Sequence, residues 1–481
     1  MKIIVMKKNH LWLLLLLTMD FSWGACKKEL NVFPTTSEVD GNLITDQASA
    51  QTVLNGVYYR FANAQVLSNY SVTFWEGVNE FYPSELAGSL VWAYGEAPID
   101  SAILTPDDIV SDTIWTYGYA LVNAANGFIK NVAPVTNIPT GAKQQMLAEA
   151  KFLRAFGNSE LLLYYGQYND TSSKYGIILR DTFVTAANIN WPRSGVAAAY
   201  TAIVSDLDSA INGLPVLNTS ICYANASDAK LLLARMLINR GSAADYARVI
   251  SLTNDIISNG PFALEDSLKD IFWTKGFTSK EVMLGIQPFP NQTFKFETYV
   301  GDNTDYVASD SLASLLANDA RNQWVYQYTY NPFLGDSANI LTKYFSGDPT
   351  HPVQTPLSTY CYAFRLSEAY LLEAEAITLS GGNPAVAKTL LTTVMSHAGA
   401  GPQEMAAVAN AATPAALQVE IVKENLRNFA YENGVDWFAL RRLPFATLQQ
   451  LNPGIQHPYQ LIFPIPTAEL TYNNVIQNPG Y

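Results

Sequence analysis

Charged and metal-ligating side chains are what this sequence has least of. Only 15% of its 481 residues are charged, and it holds four histidines and three cysteines. His10, His351, His397 and His457 stand apart from one another and from any cysteine at ligand spacing, so no local zinc or iron motif is present. There is no G-x-S-x-G elbow and no P-loop, and Gly399 and Gly401, in an Ala-rich stretch before Pro402, read as a turn. Lys and Arg number 29 against 42 Asp and Glu, a formal net charge of −13, which lacks the basic surplus on which binding a polyanion rests. Nucleic acid is therefore not an expected partner, and no cofactor is expected. With few charges and 12% aromatic residues, the surface must be rich in neutral polar and aromatic groups, which suits uncharged, hydroxyl-rich ligands.

What is present begins with an export signal. Lys2, Lys7 and Lys8 make a basic start, and residues 11–17 form an apolar run. A bilayer span needs about 20 such residues, so the run is too short to cross. Gly24 and Ala25 lead into Cys26, the small-residue approach a lipoprotein peptidase cleaves before a cysteine that will carry acyl chains. The expected division is a signal peptide over 1–25, a lipidated polar tether over 26–45, and a single domain over 46–481. Each buried acyl methylene contributes about 0.8 kcal/mol, so more than one chain anchors stably. Loss of 1–25 leaves a net charge of −15, and with Cys26 acylated only Cys222 and Cys361 remain. Whether those two pair is open at this level.

Helical periodicity dominates the body, predicting helices over 47–62, 115–132, 143–165, 196–212, 226–240, 243–258, 361–379, 384–397 and 415–432. Two of these regions repeat. Leu231-Leu232-Leu233-Ala234 falls over Leu371-Leu372-Glu373-Ala374, and the same offset of 140 pairs Leu237 with Ile377, Gly241 with Gly381, Ala247 with Ala387 and Ile250 with Leu390. A helix, a turn at Gly, and a second helix whose Ala packs on the first is the logic of tetratricopeptide units. The expected fold class is mainly α: a tetratricopeptide-like helical-repeat scaffold with long irregular loops and little β structure.

Two stretches between the helices, about 69–100 and 287–345, are aromatic and polar at once. Loops of this length are seldom idle. Flat aromatic rings stack on the C–H faces of sugars, and Asn, Asp, Gln and Arg bond the ring hydroxyls. Trp75, Tyr82, Trp92, Tyr94, Tyr299 and Trp324 are the aromatic candidates, with Asn79, Glu80 and Asp302 as polar ones. On that reading, Trp75→Ala with Trp324→Ala weakens glycan binding and leaves the helices folded. Trp115 and Trp437 lie in helical patterns and are expected in the core. Glu149, Glu160, Glu368, Glu373 and Glu375 sit on amphipathic helices, where scaffold salt bridges are the expected role.

In order along the chain, these segments resemble the SusD/RagB family of nutrient-binding outer-membrane lipoproteins. The resemblance runs through Cys26-Lys27-Lys28-Glu29-Leu30 with Pro34, then Asn55-Gly56-Val57-Tyr58, then AEAKFLRAF at 148–156 with Tyr165-Gly166. It continues through YTAIVSDLDSAINGLP at 200–215, FRLSEAYLLEAEA at 364–376, Phe463-Pro464-Ile465-Pro466 with Glu469, and QNPGY at 477–481. Glu432, Gly434, Trp437 and Arg441 fit as well, whereas Asn428 and Ala439 depart from the family pattern.

The resemblance implies a helical scaffold with variable ligand-binding loops, sitting as a lid over a SusC-like TonB-dependent transporter. It implies lipid anchoring at Cys26 in the outer membrane, exposure at the cell surface, and a binding role, not an enzymatic one, toward a glycan or oligosaccharide. Two other classes remain to be weighed against it. A surface glycoside hydrolase would need two carboxylates about 5 to 10 Å apart, which can come from anywhere in a chain, and a tetratricopeptide adaptor would bind a protein instead.

Overall fold

The protein is described from a computed structural model covering residues 43–62, 64–67, 70–73, 75–288, 294–301, 304–348 and 351–481. The export signal, Cys26 and most of the tether lie outside the described residues, as does Asp302. Among the described residues nine helices of fourteen residues or more carry the architecture: α1 (Gln47–Ala62), α2 (Ile109–Val132), α3 (Thr140–Tyr165), α4 (Val196–Gly213), α5 (Ala226–Arg240), α6 (Ala243–Asn259), α7 (Leu366–Leu379), α8 (Pro384–Ala398) and α9 (Pro414–Phe429). Each packs on the next in sequence, and α7 also packs on α9. None of the described helices is long and apolar enough to cross a membrane.

The α5–α6 hairpin shows how local sequence writes this scaffold. Asn225 caps α5, its side chain accepting from the Ser227 and Asp228 backbone N–H groups, while Asp228 accepts in return from the Asn225 N–H. Gly241 ends the helix at φ 76°, a left-handed conformation that costs Gly little. Ser242 then caps α6. The second copy, α7–α8, turns at Gly381 with φ 71°. The offset of 140 holds for the first helices of the two hairpins but not for the second. The buried stripe Asp245, Val249, Thr253 and Ile256 of α6 recurs as Ala387, Leu391, Met395 and Ala398 of α8, an offset of 142. Ala247 is consequently exposed while Ala387 is buried. The longer turn through Gly381, Gly382 and Asn383 shifts the register, so an ungapped alignment mispairs the second helices.

Close helix approach elsewhere depends on glycine. A Cβ on Gly118 of α2 would stand 2.6 Å from Leu161 Cγ of α3, and one on Gly157 would stand 3.0 Å from the Gly118 carbonyl oxygen. The bare backbones let α2 and α3 pack at that separation. Trp115 and Trp437 are buried, as expected.

Residues 361–365 are not helical. They form β8 of a small set of antiparallel ladders: β1 (Ala64–Leu67) with β2 (Tyr70–Thr73), β3 (Leu90–Trp92) with β5 (Tyr306–Ala308), β4 (Val282–Ile286) with β8 (Cys361–Arg365), and β6 (Tyr326–Asn331) with β7 (Asp336–Leu341). All five residues of β8 are buried. A short run buried on every side has no alternation, which is why periodicity alone reads it as helix. The last predicted helix ends at Phe429, because Tyr431 takes φ 62° and its N–H donates to Ser84 Oγ at 2.8 Å. The stretch 69–100 is also less irregular than expected, with helical turns at Glu76–Phe81 and Tyr82–Leu86.

The chain leaves the helical stack after α6 and returns at α7, and these two helices still pack face to face. The excursion between them builds a second core with Phe272, Leu312, Trp324, Tyr344 and Tyr362, closed by Phe81 and Tyr431. A buried ionic joint ties it to the stack. Arg365 donates to Glu432 at 2.6 and 2.9 Å, to Glu281 at 2.7 Å and to Asn428 Oδ1 at 2.7 Å, while Lys343 donates to Glu432 at 2.6 Å. Arg321 is bound likewise between Asp319 and Glu424. Cys222 and Cys361 are both free thiols, and both are buried.

The helical glutamates divide. Glu368 pairs with Arg235 and Glu375 with Arg442, as scaffold bridges. Glu149 accepts from Tyr58 Oη at 2.7 Å instead of meeting a cation. Among the described residues neither Glu160 nor Glu373 has a salt bridge, and one carboxyl oxygen of each lacks a hydrogen-bond partner. Burial pushes Glu160 up to about 7, against the weaker pull of Arg235 and Arg441. Its folded pKa lies above its unfolded one, so its contribution is full at low pH and is lost as pH rises from about 4.5 to 7. The loss is about 3 kcal/mol at one pKa unit per 1.36 kcal/mol. Glu160→Gln should therefore flatten the fall in melting temperature between pH 5 and pH 8, measured by thermal circular dichroism at both.

Candidate functional site

The β3–β5 ladder joins the two aromatic stretches. Its register sets Trp92 opposite Tyr306 and Leu90 opposite Ala308. The pairing is extended by Ala93 N–H donating to the Asp305 carbonyl at 2.8 Å and by Ser309 N–H donating to the Ser89 carbonyl at 3.1 Å. On this ladder a series of rings rises from core to surface. Tyr306 stacks on buried Phe81 with ring centroids 4.9 Å apart at 28°. Trp92 stands edge-on to Tyr306 at 5.3 Å and 77°, and Tyr94 lies 5.6 Å beyond at 58°. Trp92 and Tyr306 are half-buried, and Tyr94 is 54% exposed. The inner rings are fixed by packing, so the outer ones form a preset ledge.

Burial raises the pKa of each acid around this ledge. Burial pushes Glu85 well above the usual carboxylate range, with Asp100 adding to the effect. Burial also raises Asp305 and Asp100. Tyr82 is pushed up to about 12, by burial first and then by Glu85. Asp100 accepts from the Ala97 N–H at 2.9 Å. The Asp305 carboxyl has no hydrogen-bond partner among the described residues, so it is available to a ligand hydroxyl. Flat rings beside hydrogen-bonding oxygens suit a partner with apolar faces and hydroxyl edges.

The sequence-based candidates separate sharply by depth. Trp92 and Tyr94 belong to the ledge, and Tyr82 stands edge-on to Phe81, 5.7 Å away at its inner end. Trp75 does not: it is 1% exposed, lodged between Phe61 at 5.3 Å and Phe156 at 5.7 Å. Trp324 is buried against Phe272 and Trp273. Tyr299 and Asn79 are buried too. Glu80 is buried and paired with Lys295 at 2.9 Å, whose ammonium also lies 3.7 Å from the centroid of the Tyr344 ring. These five side chains present no face to a ligand, because each is enclosed by the two cores. Asp302 lies outside the described residues. Tyr306 and Asp305 were not singled out beforehand, since only the ladder distinguishes them from neighbouring polar and aromatic residues.

A cleft of about 500 Å³ lies elsewhere, between α1, residues 220–223 and the end of β4. Two of its aromatic hydroxyls are already engaged, Tyr58 with Glu149 at 2.7 Å and Tyr223 with Asn55 at 2.9 Å. The ledge keeps Tyr94 exposed and the Asp305 carboxyl without a hydrogen-bond partner among the described residues, and it is the stronger candidate. Among the described residues no group of three or more His, Cys, Asp or Glu could hold a metal ion.

Comparison with known proteins points the same way for the fold. A profile of the SusD family matches residues 286–481, and a profile described as starch-binding, associating with the outer membrane, matches residues 37–237. No curated protein matches the chain. A solved SusD superfamily protein from Bacteroides thetaiotaomicron is similar at TM-score 0.72 and 20% identity, covering 90% of this chain and all of its own. One from Parabacteroides distasonis is similar at 0.73 and 16%, over 91% of this chain and all of its own. A laminarin-binding SusD-like protein is similar at 0.68 and 18%, again over 91% of this chain and 100% of its own. At such identities the likeness is one of fold.

Proposed function

We propose a function from one premise: this chain belongs to the SusD/RagB family. It is a nutrient-binding protein of the outer membrane that holds a neutral glycan on the ledge of Trp92, Tyr94 and Tyr306. Anchored through acylated Cys26 at the cell surface, it hands that glycan to a SusC-like TonB-dependent transporter. The observation that carries the reading is the graded ring series, locked at its inner end by Phe81 and open at Tyr94. The family description as starch-binding and the laminarin-binding neighbour favour a glycan as the nutrient.

Support for a protein partner comes from another surface. Ile189, Trp191, Tyr472 and Ile476 are all exposed. The Trp191 N–H donates to Asn473 Oδ1 at 2.8 Å and Arg193 to the Ile476 carbonyl at 3.0 Å, which holds the two segments side by side. An exposed apolar group of this kind suits a protein interface.

Trp92→Ala tests the ligand site. Losing roughly 80 Å² of ring contact, about half of what an aromatic side chain can bury, removes about 2 kcal/mol and weakens binding about thirtyfold. Calorimetric titration with starch and laminarin measures it, and unchanged affinity would remove the ledge from the site. A binder also releases no reducing ends from either polysaccharide on prolonged incubation, whereas a hydrolase does.

A further inference from the structure

In the β6–β7 hairpin, β7 buries Ile340 on its inner face in the usual way, but β6, beyond the buried Tyr326, turns two tyrosines outward and polar side chains inward. In a strand packed on a protein, the apolar face ordinarily turns inward and the polar face outward. In β6, Gln327 and Thr329 are half-buried and Asn331 is buried, while Tyr328 and Tyr330 on the opposite face are 65% and 62% exposed. Slippage by one residue would bring the tyrosines inward, but the register is pinned. Asn331 donates to Thr304 Oγ1 at 3.0 Å, and its own side-chain oxygen accepts from the Phe333 and Leu334 N–H groups at 2.8 and 3.2 Å. Gly335 closes the turn at φ 69°, its N–H donating to the Asn331 carbonyl at 2.9 Å.

Opposite the tyrosines stand neutral polar residues. Tyr328 pairs with Asn339 and Tyr330 with Ser337. The segment 325–341 contains no Lys or Arg, and its acid Asp336, with Asp310 bonded to Asn339 at 3.2 Å, disfavours an anionic partner. Residues two apart on a strand are about 6.6 to 6.8 Å apart, so the two rings stand side by side on one face. The strand β7 lies against β5, which carries Tyr306 of the ledge.

We propose that the outward face of this hairpin, with Tyr328 and Tyr330 as successive stacking rings and Asn339 and Ser337 as hydroxyl partners, is a second glycan-contact surface that takes an extended, neutral chain. The proposal rests on the glycan-binding reading of the Trp92 ledge and deepens it: the ligand is a polymer held along its length, not a chain end held in a pit.

The test is a length series. The purified chain, Trp92→Ala, and the double variant Tyr328→Ala with Tyr330→Ala are titrated with laminarin, with starch, and with their oligosaccharides from disaccharide to heptasaccharide. The double variant is expected to bind the longest chains about tenfold more weakly, a change of about 1.4 kcal/mol, and the disaccharide as the unaltered chain does. Trp92→Ala weakens both, and Tyr328→Phe with Tyr330→Phe keeps the affinity because the rings remain. If the alanine double variant binds every length normally, or loses short and long chains equally, the second surface is overturned while the ledge stands. If the unaltered chain binds neither polysaccharide nor any oligosaccharide, the glycan reading falls and the second surface with it.

Discussion

Trp75→Ala is expected to cost about 3 to 5 kcal/mol of stability, the range for truncating a large buried aromatic, and to leave the intrinsic glycan affinity of the folded protein unchanged. The ring sits between Phe61 of α1 and Phe156 of α3, and its removal opens a void where three elements meet. Neighbouring rings cannot collapse into the space, because Phe61 and Phe156 already touch at 4.9 Å. Urea unfolding followed by circular dichroism measures the loss, with titration of the folded protein alongside. A side chain lining the ligand site would give the opposite pair of results, full stability and weakened binding.

Arg365→Met is expected to cost as much, about 3 to 5 kcal/mol, because the change leaves buried charge without its partner. Arg365 meets Glu281 at the start of β4, Asn428 on α9 and Glu432 just beyond it. Removing it leaves Glu281 without a cation, held by Ser367 and the Glu265 N–H, and leaves Lys343 as the remaining cation bonded to Glu432. The excursion and the helical stack then separate more easily, so the 260–365 segment should melt before the stack. Adding Glu281→Gln to Arg365→Met recovers part of the loss, since a neutral amide is less costly to bury than an unpaired carboxylate. A scan of the single and double variants by differential calorimetry distinguishes these outcomes, and equal stability of Arg365→Met and the unaltered chain would show the joint to be energetically idle.

Much of the scaffold was legible because helices announce themselves locally. The predicted span 47–62 coincides with α1, and the two hairpins around Gly241 and Gly381 were visible as a repeat. The second helices of that repeat were misaligned, since Gly382 and Asn383 lengthen one turn without disturbing either helical pattern. Residues 361–365 were read as helix because full burial erases the alternation by which strands are recognised. The segment about Glu424 and Glu432, which departs from the family pattern at Asn428 and Ala439, is densely ion-paired through partners as distant in sequence as Arg321, Lys343 and Arg365. No local pattern could have disclosed those bonds.

The aromatic candidates show the division most clearly. Trp75 and Trp92 lie seventeen residues apart, both among Gly, Ser and Glu, and composition treats them alike. By itself the sequence determined that the chain is a helical stack, where the repeat falls, and which two stretches hold the unusual aromatics, because periodicity and composition are properties of neighbouring residues. Only the tertiary structure decided which rings face outward, through the pairing of Trp92 with Tyr306 and the pinned register of Asn331. Burial is settled by contacts between segments some two hundred residues apart, and nothing in a residue's own neighbourhood records them.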